Sequence, residues 1–72
     1  MSLKLLRLSP QGDQAIIAHD DASLFHYRGL GAGITTYESV PYGTHVEWPA
    51  HDLTFATFPA FAEWLGKFVN GG

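Results

Sequence analysis

Thr57-Phe58-Pro59-Ala60-Phe61-Ala62-Glu63-Trp64-Leu65-Gly66-Lys67-Phe68-Val69-Asn70-Gly71-Gly72 is the stretch on which the fold turns. Read at about 3.6 residues per turn, Phe58, Phe61, Trp64, Leu65, Phe68 and Val69 fall on one broad stripe, with Ala60, Glu63 and Lys67 opposite. The ends agree with a helix. Pro59 suits a first helical turn, and Asn70-Gly71 supplies a left-handed stop. Glu63 and Lys67 stand four apart with the acid first, a favourable surface pair. An aromatic stripe of this breadth needs a sheet to lie on, and the chain before it is rich in strand patterns.

Leu3-Lys4-Leu5-Leu6-Arg7-Leu8 is a short apolar run that ends in Ser9-Pro10-Gln11-Gly12-Asp13, a turn with proline at its second position. Gln14 to His19 reads as a second strand, Asp20-Asp21-Ala22-Ser23 as a turn and Ser23 to Arg28 as a third strand. A turn centred on Asp21-Ala22 pairs His19 with Leu24, Ala18 with Phe25, Ile17 with His26 and Ile16 with Tyr27. One face of this hairpin then carries Ile16, Ala18, Phe25 and Tyr27, and the other Ile17, His19, Leu24 and His26. The first strand adds Leu6 and Leu8 to the one and Leu3 and Leu5 to the other. Both faces are apolar, whereas a face left to water should be polar.

Gly29-Leu30-Gly31-Ala32-Gly33 is the flexible point, and Ile34 to Val40 is again β-rich. Val40-Pro41-Tyr42-Gly43-Thr44 reads as a proline-led turn into His45-Val46-Glu47-Trp48, giving a second hairpin with Ile34, Thr36, Val40, Val46 and Trp48 on one side. Pro49 ends that strand, and Leu53-Thr54-Phe55-Ala56 is either a last short strand or the lead into the helix. The expected fold is α+β: a four- to five-stranded antiparallel sheet, mostly meander, with one C-terminal helix packed on one face, in a single domain over residues 1–72. The second hairpin is the expected seat of the helix, with Phe61, Trp64, Leu65 and Phe68 in the core.

Composition narrows the function. The 72 residues hold no cysteine, which excludes disulfides, thiolate metal sites and cysteine nucleophiles. Four Lys and Arg against seven Asp and Glu give a net charge of −3 with no basic run, an argument against nucleic-acid and membrane-surface binding. The chain has no hydrophobic run of membrane-spanning length and no secretory leader pattern, so a cytoplasmic location is expected. Aromatic residues make up 14% of the chain and charged residues 15%, more apolar surface than so small a globule easily hides.

The possible chemical sites are weak ones. His19 and His26, with Asp21 nearby, offer two imidazoles and a carboxylate, far less than a recognised zinc motif. His45, Glu47, His51 and Asp52 could gather as an acid-base group near Trp48, but nothing supplies a nucleophile in the required geometry. The glycines from Gly29 to Gly33 lack the lysine and the spacing of a phosphate loop. Trp48, Trp64 and the tyrosines could stack bases, yet positive charge is missing. The expectation is therefore a non-enzymatic protein-binding module without cofactor or metal. It self-associates as a homodimer through the sheet, at a surface carrying Leu3, Leu5, Ile17, His19, Leu24 and His26 or at a sheet edge. The competing reading is a small histidine-dependent metal-binding protein or enzyme. Short acidic sheet-plus-helix proteins occur among phage and mobile-element accessory proteins that block host complexes, an analogy of fold alone that favours an inhibitor or regulator of a larger complex.

Overall fold

Among the described residues six elements follow one another in the order β1 (Leu3–Leu8), β2 (Gln14–His19), β3 (Leu24–Arg28), β4 (Thr36–Val40), β5 (Ala50–Phe55) and α1 (Phe58–Val69). They come from a computed structural model that describes residues 2–30, 34–41, 45 and 47–69. The strands form one sheet in the order β4-β3-β2-β1-β5, every neighbouring pair antiparallel. This is the expected α+β meander sheet with a single C-terminal helix. No helix among the described residues is long and apolar enough to cross a membrane.

The first turn forms as its residue types dictate. Gly12 donates its N–H to the Ser9 carbonyl at 2.9 Å, with Pro10 at the second position. The Ser9 hydroxyl, buried beneath the turn, donates to Asp13 Oδ1 at 2.7 Å and accepts the N–H groups of Asp13 and Gln14 at 3.1 and 3.0 Å. Gly12 has φ +74°, the left-handed backbone that favours glycine, and a methyl group there would also push on the tip of the exposed Phe68 ring.

The second turn corrects the expected register. Ala22 donates to the His19 carbonyl at 3.0 Å, and His19 donates to Ser23 at 2.9 Å, so the loop holds three residues, Asp20 to Ala22, not two. Ala22 adopts the left-handed conformation, φ 67°, that closes such a loop and that glycine usually takes. The Asp21 carboxylate ties the loop by accepting the Ser23 N–H at 3.0 Å and the Ser23 hydroxyl. The extra residue shifts the pairing by one: Ile17 faces Phe25, Ile16 faces His26 and Ala15 faces Tyr27. A one-residue slip sends every side chain of a strand to the other side. Ala15, Ile17, His19, Phe25 and Tyr27 therefore share one side of the sheet, with Ile16, Ala18, Leu24 and His26 on the other. In β1, a bulge between Leu5 and Arg7 resets the alternation and brings Leu8 to the same side as Leu3 and Leu5.

Among the described residues the second expected hairpin does not form. β4 pairs with β3 and β5 with β1, at opposite edges, and both run in the same direction. Parallel strands cannot be joined by a tight turn. Residues 41–49 instead link one edge to the other, and the described end of that link lies on the side away from the helix. There the Trp48 ring sits 5.2 Å from His26, Arg7 Nη1 donates to the Trp48 carbonyl at 3.0 Å, and Leu8 N–H donates to Pro49 at 3.4 Å. His45, Glu47 and Trp48 are not in a strand, and the last strand starts at Ala50, not Leu53. The turn at 42–44, Val46 and the stop at Asn70-Gly71 lie outside the described residues.

Helix α1 packs on the first three strands and β5, not on a second hairpin. Thr57 caps it, its Oγ1 accepting the Ala60 N–H at 3.3 Å and its carbonyl the Phe61 N–H at 3.2 Å. Glu63 and Lys67 pair at 3.6 Å on the exposed flank. Phe61, fully buried, and Leu65 press into a core of Leu3, Leu5, Leu8, Ala15, Ile17, Tyr27, Leu30 and Phe55. The Phe61 ring lies 5.5 Å from both Tyr27 and Phe55. Trp64 is half-buried, 5.3 Å from Phe55. Phe58 and Phe68, at the two ends of the stripe, remain exposed, a departure from the expectation that put Phe68 in the core.

Candidate functional site

A helix about 10 Å across cannot cover five strands that span roughly 19 Å between their outermost axes. Phe61 and Leu65 close the side of the sheet over β1, β2 and the near edge of β3. Beyond them a groove of about 790 Å³ runs between the flank of α1 and β3–β4. Tyr27, Leu30 and Ile34 lie on its sheet side, with Thr36 and Tyr37 of β4, while Phe58 and Leu65 stand on its helix side. Ala62 and Gly66, one helical turn apart on that flank, are too small to fill it.

Two apolar side chains at this groove are conspicuously bare: Tyr37 is 66% and Phe58 43% exposed. Tyr37 is nevertheless set in place, its ring 5.6 Å from Tyr27 in a stacked arrangement and 6.0 Å from Phe25 edge-on. The row continues through His19, whose ring lies 4.7 Å from Phe25 and whose Nε2 is 2.9 Å from the Tyr27 hydroxyl. Burial, with Tyr37 adding to it, pushes the Tyr27 hydroxyl above its ordinary pKa, so it is neutral at physiological pH. No side chain lining the groove among the described residues carries a charge at pH 7.

The outer edge of β4 adjoins this groove. The Gly29 N–H donates to Asp13 and the Ser23 carbonyl accepts from His19, so the odd-numbered residues of β3 bond toward β2 and the even-numbered ones toward β4. Their partners are Thr36, Glu38 and Val40. By strand alternation the backbone N–H and C=O of Tyr37 and Ser39 point outward, and no described strand lies beyond them.

The residues expected to form one binding surface are divided by the corrected register. Leu3, Leu5 and Ile17 are fully buried under α1, and His19 is half-buried on their side. Leu24 and His26 lie on the opposite side: Leu24 lines a smaller cleft of about 350 Å³ whose apolar part is Leu6, Ile16, Leu24, Val40 and Ala50, with Lys4, Arg7 and His51 beside them, and His26 borders a separate one with Arg28 and Glu38. His26 contacts Gln14 Oε1 at 2.8 Å and lies 3.8 Å from Glu38, which also pairs with Arg28 at 2.5 Å. Burial lowers the His26 pKa, the Arg28 charge lowers it further, and Glu38 opposes both. His45 and Glu47 form an exposed pair at 3.6 Å, and His51 is exposed on β5. Among the described residues no group of three or more His, Asp or Glu side chains could hold a metal ion.

Tyr37 and Phe58, the two bare rings of the groove, went unrecognised in the sequence. Tyr37 shares its side of the strand with polar Thr35 and Ser39, which marked that side as solvent-facing. Its exposure beside an apolar groove depends on β4 being an edge strand, which no local pattern states. Phe58 belongs to a stripe wider than the sheet region the helix covers. No protein-family model matches the chain, and neither a search of curated proteins nor one of solved structures finds a similar protein.

Proposed function

We propose that the protein is a non-enzymatic binding module for another protein, and that the groove between α1 and β3–β4 receives an apolar segment of that partner. The observation that carries this reading is the groove itself, a neutral, largely apolar channel with the exposed rings of Tyr37 and Phe58 on its two sides. Aromatic side chains held rigid by their neighbours are the residues that dominate interface energies, because they bury large areas while losing little freedom. Occupying a surface of a larger complex, as an inhibitor or regulator does, requires no more than such a groove. Self-association, with α1 covering Leu3, Leu5 and Ile17, is left with the sheet edges and this groove.

Selection of random linear peptides on the immobilised protein tests the reading. Enriched peptides should be apolar and should lose most of their affinity for an Ala62→Trp variant, whose indole fills the groove from an exposed helix position. Enrichment of peptides indifferent to that variant, with its melting temperature unchanged, would place binding elsewhere and overturn the assignment. Sedimentation over a wide concentration range tests self-association separately, and a strict monomer at high micromolar concentration removes it.

A further inference from the structure

We infer that the partner segment binds as an extended strand added to the outer edge of β4, with apolar side chains alternating with polar ones along it. The inference rests on the groove being the binding surface and adds the conformation and chemistry of what fills it.

Three features of the edge lead to it. The backbone groups of Tyr37 and Ser39 point away from the sheet with no described partner, and an added strand satisfies them directly. A helix lying in the groove would cover these groups without pairing them, and a buried backbone group left unsatisfied is costly. A strand placed about 4.8 Å beyond β4 sends every second side chain to the helix side of the sheet, beside Tyr37 and Ser39 and into the mouth of the groove. Those positions must be apolar, because the lining holds no charge to meet one and burying an unpaired charge is costly. The intervening side chains lie beside Thr36, Glu38 and Val40 on the far side, in water, where polar and basic residues suit the exposed Glu38. The lengths also agree: the five residues of β4 extend about 17 Å, and the helix flank from Phe58 to Gly66 rises about 12 Å.

A second copy of the chain fits less well. The only large apolar residue that β4 could offer to a partner's groove is Tyr37, and pairing two five-residue edges buries far less than the roughly 1,200 Å² of a stable interface. At the opposite edge, Ala50 and His51 of β5 line only the smaller cleft, beside the cationic Lys4 and Arg7, and the edge carries a charged pair, Lys4 with Asp52 at 3.4 Å.

Two short synthetic peptides of identical composition distinguish the modes, one alternating Val, Ile and Phe with Thr, Ser and Lys, the other with its apolar residues at helical spacing. The alternating peptide should bind at least about tenfold more tightly, and methylation of its β4-facing backbone nitrogens should remove at least about tenfold of that affinity. Amide exchange at Tyr37 and Ser39 should slow on binding, and Ser39→Pro, tolerable on an edge strand, should abolish it. Preference for the helically spaced peptide, or binding sensitive to Ala62→Trp but not to Ser39→Pro or methylation, overturns strand addition and leaves the groove reading intact. Binding indifferent to all three changes overturns both. Failure of the alternating peptide to bind at hundreds of micromolar overturns strand addition, and the peptide selection decides the groove independently. A dimer that Ser39→Pro dissolves would make a second copy the occupant and also overturn the inference.

Discussion

The helix-facing side of the sheet has two halves that were built from similar residues and ended differently. Over β5, β1 and β2, the side chains of Phe55, Leu3, Leu5, Leu8 and Ile17 are closed off by Phe61 and Leu65. Over β4 and the outer part of β3, Tyr37 stands in solvent beside an unfilled groove. The difference is one of width. A single helix covers two or three strands, and the connections seat α1 directly after β5, so the half nearest β5 is the half that is sealed. Stability should therefore reside in the covered half and recognition in the bare one.

Phe61→Ala is the severest test of that division. It removes a fully buried ring from the centre of the covered half and should cost about 3–5 kcal/mol, read from urea unfolding; a loss below about 1 kcal/mol would mean that the helix does not hold the core. Gly12→Ala comes next. It forces a side chain into left-handed backbone and against Phe68 at the far end of the helix, and should cost about 1–2 kcal/mol in the same measurement. Ala22→Gly acts in the opposite direction. Relief of the left-handed alanine outweighs the extra freedom of glycine in the unfolded chain, so thermal unfolding should show a gain of somewhat under about 1 kcal/mol. A loss there would contradict the three-residue loop and the register that carries Phe25 and Tyr27 toward the groove. The smallest effect belongs to the bare half: Tyr37→Ser should alter stability by no more than about 0.5 kcal/mol, while affinity for groove-selected peptides falls sharply. A strongly destabilised Tyr37→Ser variant would erase the contrast between the halves.

The features that could be read in the sequence are those decided by neighbours in the chain. β1 and β2 begin and end where their apolar runs do, Ser9-Pro10-Gln11-Gly12 turns as its residue types require, and the aromatic stripe forms a helix with Phe61 and Leu65 inward. Thr57 was available as a helix cap, a threonine three residues before the N–H it accepts. Two other decisions could not be read from the local pattern. Whether the second loop held two residues or three depended on Ala22 accepting a positive φ, and that single residue moved Leu24 and His26 to one side and left Ile17 on the other. The partners of β4 and β5 were settled by competition for the edges of the β1–β2–β3 sheet, where alternation along Ile34 to Val40 was compatible with either a hairpin or an edge strand. The groove was a consequence of both.

The sequence by itself determined the α+β class, the helix and the first three strands, because periodicity, caps and turn chemistry act within a few residues. Only the tertiary structure decided which side of the sheet the helix seals and which edge stays bare. A strand's two sides differ by one residue of register, and a helix can cover only the strands its connection lets it reach.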